Sequence, residues 1–306
     1  MLTADGLVRG PQGTRSLRRL MQRRSTLAFL MTLPLITLIV VLVAYPAGSA
    51  IYLSMLDRSM TRFVGLRNFA GLFGGDRFWV VLYQTSLFAI TAVVCKAIIG
   101  FAAAHFMHNI PARRQRMWRG LLLVPWVIPP ALSTLAWRQL LDPSFSTFNW
   151  ILEQVGISRV SWLAEPDWAR FCVILATVWL GAPFFMIMYL ASLKSVPDEL
   201  YEAASIDGAT WWQRTRYVTF PMTRNVIAIT MLFSLIGGFS GFTIVNVLTN
   251  GGPLGATQVL ATAAFLISLG AGNFPMGAAV SLCMVPVLAV AATLILRGIA
   301  KRGSGA

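Results

Sequence analysis

Six long apolar stretches divide the chain, near residues 27–49, 80–107, 119–140, 169–193, 224–248 and 275–297. Each exceeds the roughly 20 residues that carry a helix across the hydrocarbon of a bilayer. Backbone amides in hydrocarbon must bond within their own segment, so spans of this length are helices. The pattern predicts an all-α polytopic membrane protein with six transmembrane helices. A basic N-terminal tail (1–26) leads into a six-helix membrane domain (27–298), which ends in a short tail (299–306). A polar loop at about 195–222 separates spans four and five. The first apolar run begins near Leu27, after Arg15, Arg18, Arg19, Arg23 and Arg24. It continues through Ala44 and past Tyr45-Pro46 to about Leu56. A secretory signal has a shorter apolar core and a small-residue cleavage site, so this run is expected to be a retained first helix.

Composition agrees with that pattern. Only 12% of residues are charged and 57% are hydrophobic, with mean hydropathy +0.69, whereas soluble domains carry about 25% charged residues. The net charge of +14 invites a nucleic-acid reading. The arginines lie outside the apolar spans, however, and no nucleic-acid-binding module is visible. Basic loops facing an anionic cytoplasmic leaflet account for the charge. With the N-terminus inside, the inner segments hold the six arginines of the tail, Arg113, Arg114, Arg116 and Arg119, then Lys194, Arg214, Arg216 and Arg224, and finally Arg297, Lys301 and Arg302. The outer segments hold Arg58, Arg62, Arg67, Arg77, Arg138, Arg159 and Arg170. That asymmetry predicts both termini in the cytoplasm, with the 195–222 loop on the same side. Cys95, Cys172 and Cys283 all fall in apolar stretches and read as small core residues, neither disulfides nor metal ligands.

The polar loop has its own local logic. Ser195 is placed to cap a helix, with Pro197 early in it and Asp198 and Glu199 in its first turn. That helix would run to about Asp207 and stop at Gly208, a residue suited to a left-handed cap. Thr210 and Gln213 have capping-box spacing for a second short helix. Pro221 is expected to break the path before span five. The result is a compact knuckle in which Ala203 and Ala204 leave room for another surface. Trp211 and Trp212 would anchor it at the membrane interface or in a partner's groove. Local physics alone also allows an ordinary amphipathic loop lying on the membrane.

Glu202, Ala203, Ala204, Gly208 and Pro221 stand at the spacing of the EAA loop, with Val218 and Phe220 where its pattern has Ile and Leu. The segment resembles that loop of permease subunits in binding-protein-dependent ABC importers. Phe63-Val64-Gly65-Leu66-Arg67-Asn68-Phe69, Leu248-Thr249-Asn250-Gly251-Gly252-Pro253, and Pro125, Pro129, Trp137 and Asn149 are similar to motifs of the carbohydrate-uptake, maltose-permease-like group. The resemblance implies a non-catalytic bacterial inner-membrane subunit that binds no cofactor itself. A second, homologous permease would complete the pathway, and an extracytoplasmic binding protein would deliver the solute. An ABC ATPase dimer would use ATP and Mg; this chain has no Walker-type loop of its own. Glu202, Ala203, Ala204, Asp207 and Gly208 would form the ATPase-coupling surface. Glu202 would contact the ATPase by charge or hydrogen bond, and Gly208 would permit the bend. Another solute, such as a glycerol phosphate ester, is an alternative cargo.

Inside the spans the chemistry is sparse. All eleven acidic residues lie outside the apolar cores, which argues against an ion-coupled carrier, a class that needs an intramembrane carboxylate or comparable relay. Lys96, near the middle of span two, is the exception among charges. It either pairs within the assembly, faces a wet cavity, or meets solute. His105 and His108 read as interfacial. Span five carries Ser234, Gly237, Gly238, Ser240, Gly241, Thr243 and Asn246, small residues that permit close helix packing. A sugar path also needs hydrogen bonders and an aromatic face. By analogy with the family, Ser240, Thr243 and Asn246 are expected to line the substrate pathway, with Phe239 and Phe242 nearby. The uncharged segment 251–272 is expected to be an extracytoplasmic loop that meets the binding protein.

Overall fold

The computed structural model describes residues 24–303, with side-chain environments from 28 to 298. The expected N-terminal tail lies largely outside the described residues, as do the last three residues of the C-terminal tail. The described residues fall into two units divided between Leu53 and Ser54.

The first unit is the first membrane helix. It comprises α1 (Arg24–Ile39), a π turn (Val40–Ala44) and most of α2 (Tyr45–Ser54). The π turn ends one residue before Tyr45-Pro46, and Tyr45 N–H reaches back to Val40 O. A proline in a helix lacks one donor and its ring collides with a preceding carbonyl. A widened turn just ahead of it lets the ladder continue with its donors re-partnered.

The second unit holds the remaining spans. After a short helix α3 (Arg67–Phe73), span two is α4 (Asp76–His108), unbroken over 33 residues. Span four is α8 (Pro166–Leu193), and the two pack along their lengths. Gly100 makes this possible: a Cβ there would overlap Cβ of Phe185. Val93, Ala104, Met107, Phe185, Met186, Tyr189, Leu190 and Leu193 form the buried cluster at that seam. Several hydroxyls within the helices donate to the carbonyl four residues back, as Thr85, Thr134, Thr177 and Thr230 do, so these need no water. Among the described residues there is no strand, only a bridge between Leu56 and Phe63.

Three expected boundaries are corrected. Span three is bent: α5 (Ala112–Val127) and α6 (Pro130–Leu140) meet at 89°. Ile128 and Pro129 are both extended, with ψ of 133° and 131°. Each precedes a proline, which excludes the helical conformation, and neither proline can donate. Span five is displaced toward the N-terminus. It begins with α10 (Trp211–Arg214), passes through a π turn (Thr215–Thr219) and continues as α11 (Phe220–Phe239). Pro221 therefore does not break the path. It sits one residue past the π turn's cap, Phe220, whose N–H reaches Thr215 O, the same placement as Pro46. Residues 243–248, expected to lie within span five, form a separate helix α12 (Thr243–Leu248) after a turn at Ser240-Gly241.

The segment 251–272 is more than a loop. It contains α13 (Leu260–Phe265) and a π turn (Leu266–Gly270), together an apolar helix too short to count as a span. The last span joins α14 (Phe274–Leu282) to α15 (Met284–Gly303), so helix extends into the expected C-terminal tail. Counting the bent pair as one, six helices among the described residues are long and apolar enough to cross a membrane.

Candidate functional site: a polar knuckle and a membrane cavity

The knuckle is α9 (Asp198–Ile206), a glycine bend and α10. Helix α9 opens at Pro197, and Asp198 and Glu199 place negative charge at its positive end. Ser195 is not the cap. Its hydroxyl donates to Ser192 O at 2.8 Å, back into the end of α8. The C-terminal end follows the sequence reading. Gly208 has φ +74°, its N–H bonds Ser205 O, and Ala209 N–H bonds Ala204 O. This pair closes the last turn of the helix. Thr210 and Gln213 complete a reciprocal cap at the start of α10.

Two side-chain bonds, from Tyr201 and Trp211, fix the knuckle to the bundle, and one from Arg214 braces it internally. Tyr201 Oη lies 3.1 Å from Thr219 Oγ1, and Arg214 donates to Ser205 Oγ at 3.2 Å. Trp211 Nε1 donates to His105 Nε2 at 2.7 Å, with the two rings edge to face at 5.2 Å. Because Nε2 accepts, the proton of a neutral His105 ring sits on Nδ1. Partners 106 residues apart carry no sequence signal, so His105 read only as interfacial. Gln115, which donates to Met107 O, receives Lys194 and Arg119 at the same end of the bundle.

Against this fixed frame the outer face of α9 stands free. Glu202, Ala203, Asp207 and Gly208 are exposed, Ala204 is half-buried, and Ile206 is 87% exposed. Glu202 shares an open depression with Asp198, Tyr201, Ser205 and Ile206. The ion pairs among the described residues are Arg159–Glu153 and Arg170–Asp167, and Glu202 is in neither.

The second feature is a cavity of about 300 Å³ between α4, α8 and α11, reached also by Trp126 and Pro130 at the span-three corner. Lys96 lies on its wall, 6% exposed, and donates to Ser234 Oγ at 2.6 Å. Its ammonium is 5.8 Å from the Phe185 ring centre. Its stem passes over Gly181, where a Cβ would fall 2.5 Å from Lys96 Cδ. Glycines 237, 238 and 241 also line the cavity. Ser240, Thr243 and Asn246 do not. Ser240 is exposed at the end of α11, and the other two are half-buried on α12, whose Ile244 and Val245 face the cavity instead.

Residues 13–302 match the family described as the inner membrane component of binding-protein-dependent transport systems. The chain belongs to that family. It is 33% identical over 282 residues to the trehalose/maltose transport system permease protein MalF of Thermococcus litoralis, covering 90% of this chain and 94% of the relative. It is 28% identical to the diacetylchitobiose uptake system permease protein DasB of Streptomyces coelicolor, covering 98% and 93%. In fold it resembles a chain of a bacterial ABC transporter involved in import of the acidic polysaccharide alginate, with TM-score 0.81 at 23% identity over 94% of this chain and 99% of that one. The chain is thus a multi-pass permease of the inner membrane.

In this permease the loop motifs quoted above have structural work at the end of the bundle opposite the knuckle. Asn68 donates to both Ser54 O and Leu56 O at 2.8 Å. Asn149, 2% exposed, bonds Val160 through both backbone groups and accepts from Trp162 Nε1. Thr249 and Thr257 join at 2.7 Å, and Thr257 closes onto Gly252 O. Arg77 donates to Gln258, and Arg170 donates to Ala256 O and Asp167. These bonds hold the loop after span five over the ends of α4 and α8, with Leu254 fully exposed at its tip.

Proposed function

We propose that this permease carries carbohydrate inward, as half of a pathway completed by a second permease. An extracytoplasmic binding protein delivers the solute and an ABC ATPase dimer supplies ATP and Mg chemistry. The carbohydrate reading is supported by near full-length similarity to relatives whose names state sugar transport. Both termini and the knuckle face the cytoplasm in this reading, which the distribution of Lys and Arg favours.

The observation that carries the coupling role is an exposed carboxylate, Glu202, on a helix that is itself tied down. The knuckle is bonded to α4 through Trp211 and His105, and it continues into span five without interruption. A push at Glu202, Ala203, Ala204, Asp207 and Gly208 would travel along α10 and α11 for roughly 35 Å, at 1.5 Å per residue, to reach Ser234. ATPase closure would thereby reshape the cavity, and hydrolysis would reset it. Such coupling needs a two-state element that both sites bias; the inward- and outward-facing arrangements of the helices are that element.

The test is co-purification from the native membrane. Wild type is expected to bring an ATPase and a second permease. Glu202→Lys is expected to lose the ATPase and keep the second permease. An ATPase retained equally by the variant removes Glu202 from the coupling surface. Uptake that persists after proton and sodium gradients collapse, but stops without ATP, separates this reading from an ion-coupled carrier.

A further inference from the structure

Lys96 has more binding capacity than this chain satisfies. An ammonium offers three donors. Among the described residues, Lys96 makes one hydrogen bond, to the neutral hydroxyl of Ser234, and faces one aromatic ring. None of the ion pairs among them includes it, and the acidic residues all lie outside the apolar cores. A buried cation without a counter-charge is unfavourable well beyond what one neutral hydrogen bond returns. A counter-charge brought from outside the chain would offset that cost.

The surroundings of Lys96 favour a transient compensator. It stands on the wall of a cavity, its stem packed over Gly181 of α8. The same wall carries the Trp126 indole and a run of glycines without side-chain bulk. Gly181 provides the space in which its stem lies. The seam between α4 and α8 holds a second pocket, about 360 Å³, at the end away from the knuckle. Arg77 and Arg170 line it, and so does Gln84, whose side-chain carbonyl is buried with no hydrogen-bond partner. Asp167 offsets Arg170 in part, but no carboxylate lines either pocket. Along α4, Arg77 at the outer pocket and Lys96 at the cavity are 19 residues or roughly 29 Å apart.

We propose that the α4–α8 seam selects an anionic carbohydrate, with Lys96 receiving the carboxylate, sulfate or phosphate group of the solute in the cavity beside Ser234 and Trp126. This deepens the carbohydrate reading and rests on it. A charged group on the solute would convert the free N–H capacity of Lys96 into charge-assisted hydrogen bonds, which are about twice as strong as neutral ones.

The experiment uses the whole transporter, purified with its second permease and ATPase and placed in lipid nanodiscs. Thr177, which lines the cavity, is replaced (Thr177→Cys), and maleimide labelling is measured above the background of Cys95, Cys172 and Cys283. Glucuronate, glucose 6-sulfate, glucose 6-phosphate and glucose are the protecting probes. At least one anionic probe is expected to protect at a concentration at least about tenfold below glucose, the scale of one charge-assisted bond. Which of the three does so identifies the anionic group. Lys96→Gln is expected to abolish that preference and Lys96→Arg to retain it. Equal protection by glucose and all three anions overturns the proposal and leaves the carbohydrate reading standing. No protection by any probe overturns both. Loss of the second permease from the Lys96→Gln complex places the counter-charge in that subunit and overturns the proposal. The wild-type preference is read without any change at Lys96, so a variant that fails to fold does not remove the test.

Discussion

Three glycines constrain the chain for three different reasons, and each predicts a different phenotype. At Gly208 the backbone has φ +74° and a Cβ would meet nothing within 4 Å. The cost of Gly208→Ala is conformational, about 1–2 kcal/mol for a left-handed non-glycine residue. It falls on the bend of the knuckle, while the α4–α8 seam stays intact. At Gly100 the conflict is with Cβ of Phe185 and the backbone around it, atoms that move only if the helices separate. Gly100→Ala is expected to lower the thermal unfolding midpoint of the assembled transporter by several degrees, and Gly208→Ala to lower it less while reducing transport. A larger thermal loss for Gly208→Ala than for Gly100→Ala would contradict this ordering. At Gly181 the obstructing atom is a flexible lysine methylene, so the chain would fold and Lys96 would shift. Gly208 was legible because a glycine nine residues past the second of two acidic helix-starters, Asp198 and Glu199, reads as a stop. Gly100 and Gly181 were not, since their need for hydrogen at Cα comes from neighbours more than 80 residues away.

At the scale of elements, the apolar patterns identified the spans because the bilayer fixes their length, whereas breaks and joins depended on geometry that pattern does not carry. Pro129-Pro130 does signal its corner, since consecutive prolines remove two donors and force extension on both preceding residues. Pro221 misled because a single proline is compatible with a helix once a π turn precedes it, and nothing in Thr215–Thr219 announces one. Loss of charge in 251–272 read as a loop, although the tertiary structure buries Leu260, Thr262, Ala263 and Ala264 in a helix. In the site, the Thr210–Gln213 cap and the Gly208 stop were readable and the Ser195 cap was not, while the bonds Lys96–Ser234 and His105–Trp211 join segments far apart in sequence. The latter bond ties the knuckle to α4. Its removal by His105→Ala is expected to leave the ATPase bound and to reduce solute-stimulated ATP turnover about fivefold. That corresponds to one net hydrogen bond of about 1 kcal/mol. Unchanged turnover would mean that continuity into α11 alone transmits the motion. Restoration of turnover by His105→Gln, which can still accept from Trp211, would distinguish the bond from mere packing.

At the scale of the whole molecule, the two ends of the second unit use their charges differently. At the end away from the knuckle, three arginines each bond a loop: Arg58 donates to Ala271 O, Arg77 to Gln258, and Arg170 to Ala256 O. The turn there is held by Asp57, whose carboxylate accepts from the backbone of Arg62 and from Ser59 and Thr61. Those bonds, the Arg62 backbone first, draw its pKa down to about 2. They are fully present above the ordinary carboxylate range near pH 4 and are lost only as pH falls through about 2. Acidity outside the cell in the ordinary range would leave that turn intact. At the knuckle end, by contrast, Arg113, Arg114 and Arg116 are exposed and available to anionic lipid headgroups. This asymmetry predicts sidedness. Thr61→Cys, exposed on the Asp57 turn, is expected to react with an impermeant maleimide added to right-side-out spheroplasts. Ala112→Cys, exposed at the start of α5, is expected to react only after the membrane is opened. The reverse pattern would put Glu202 outside the cell, beyond reach of any ATPase, and the coupling role would fall with the orientation. The expected pattern would place the Arg77–Arg170 pocket where solute arrives and Lys96 on its way inward.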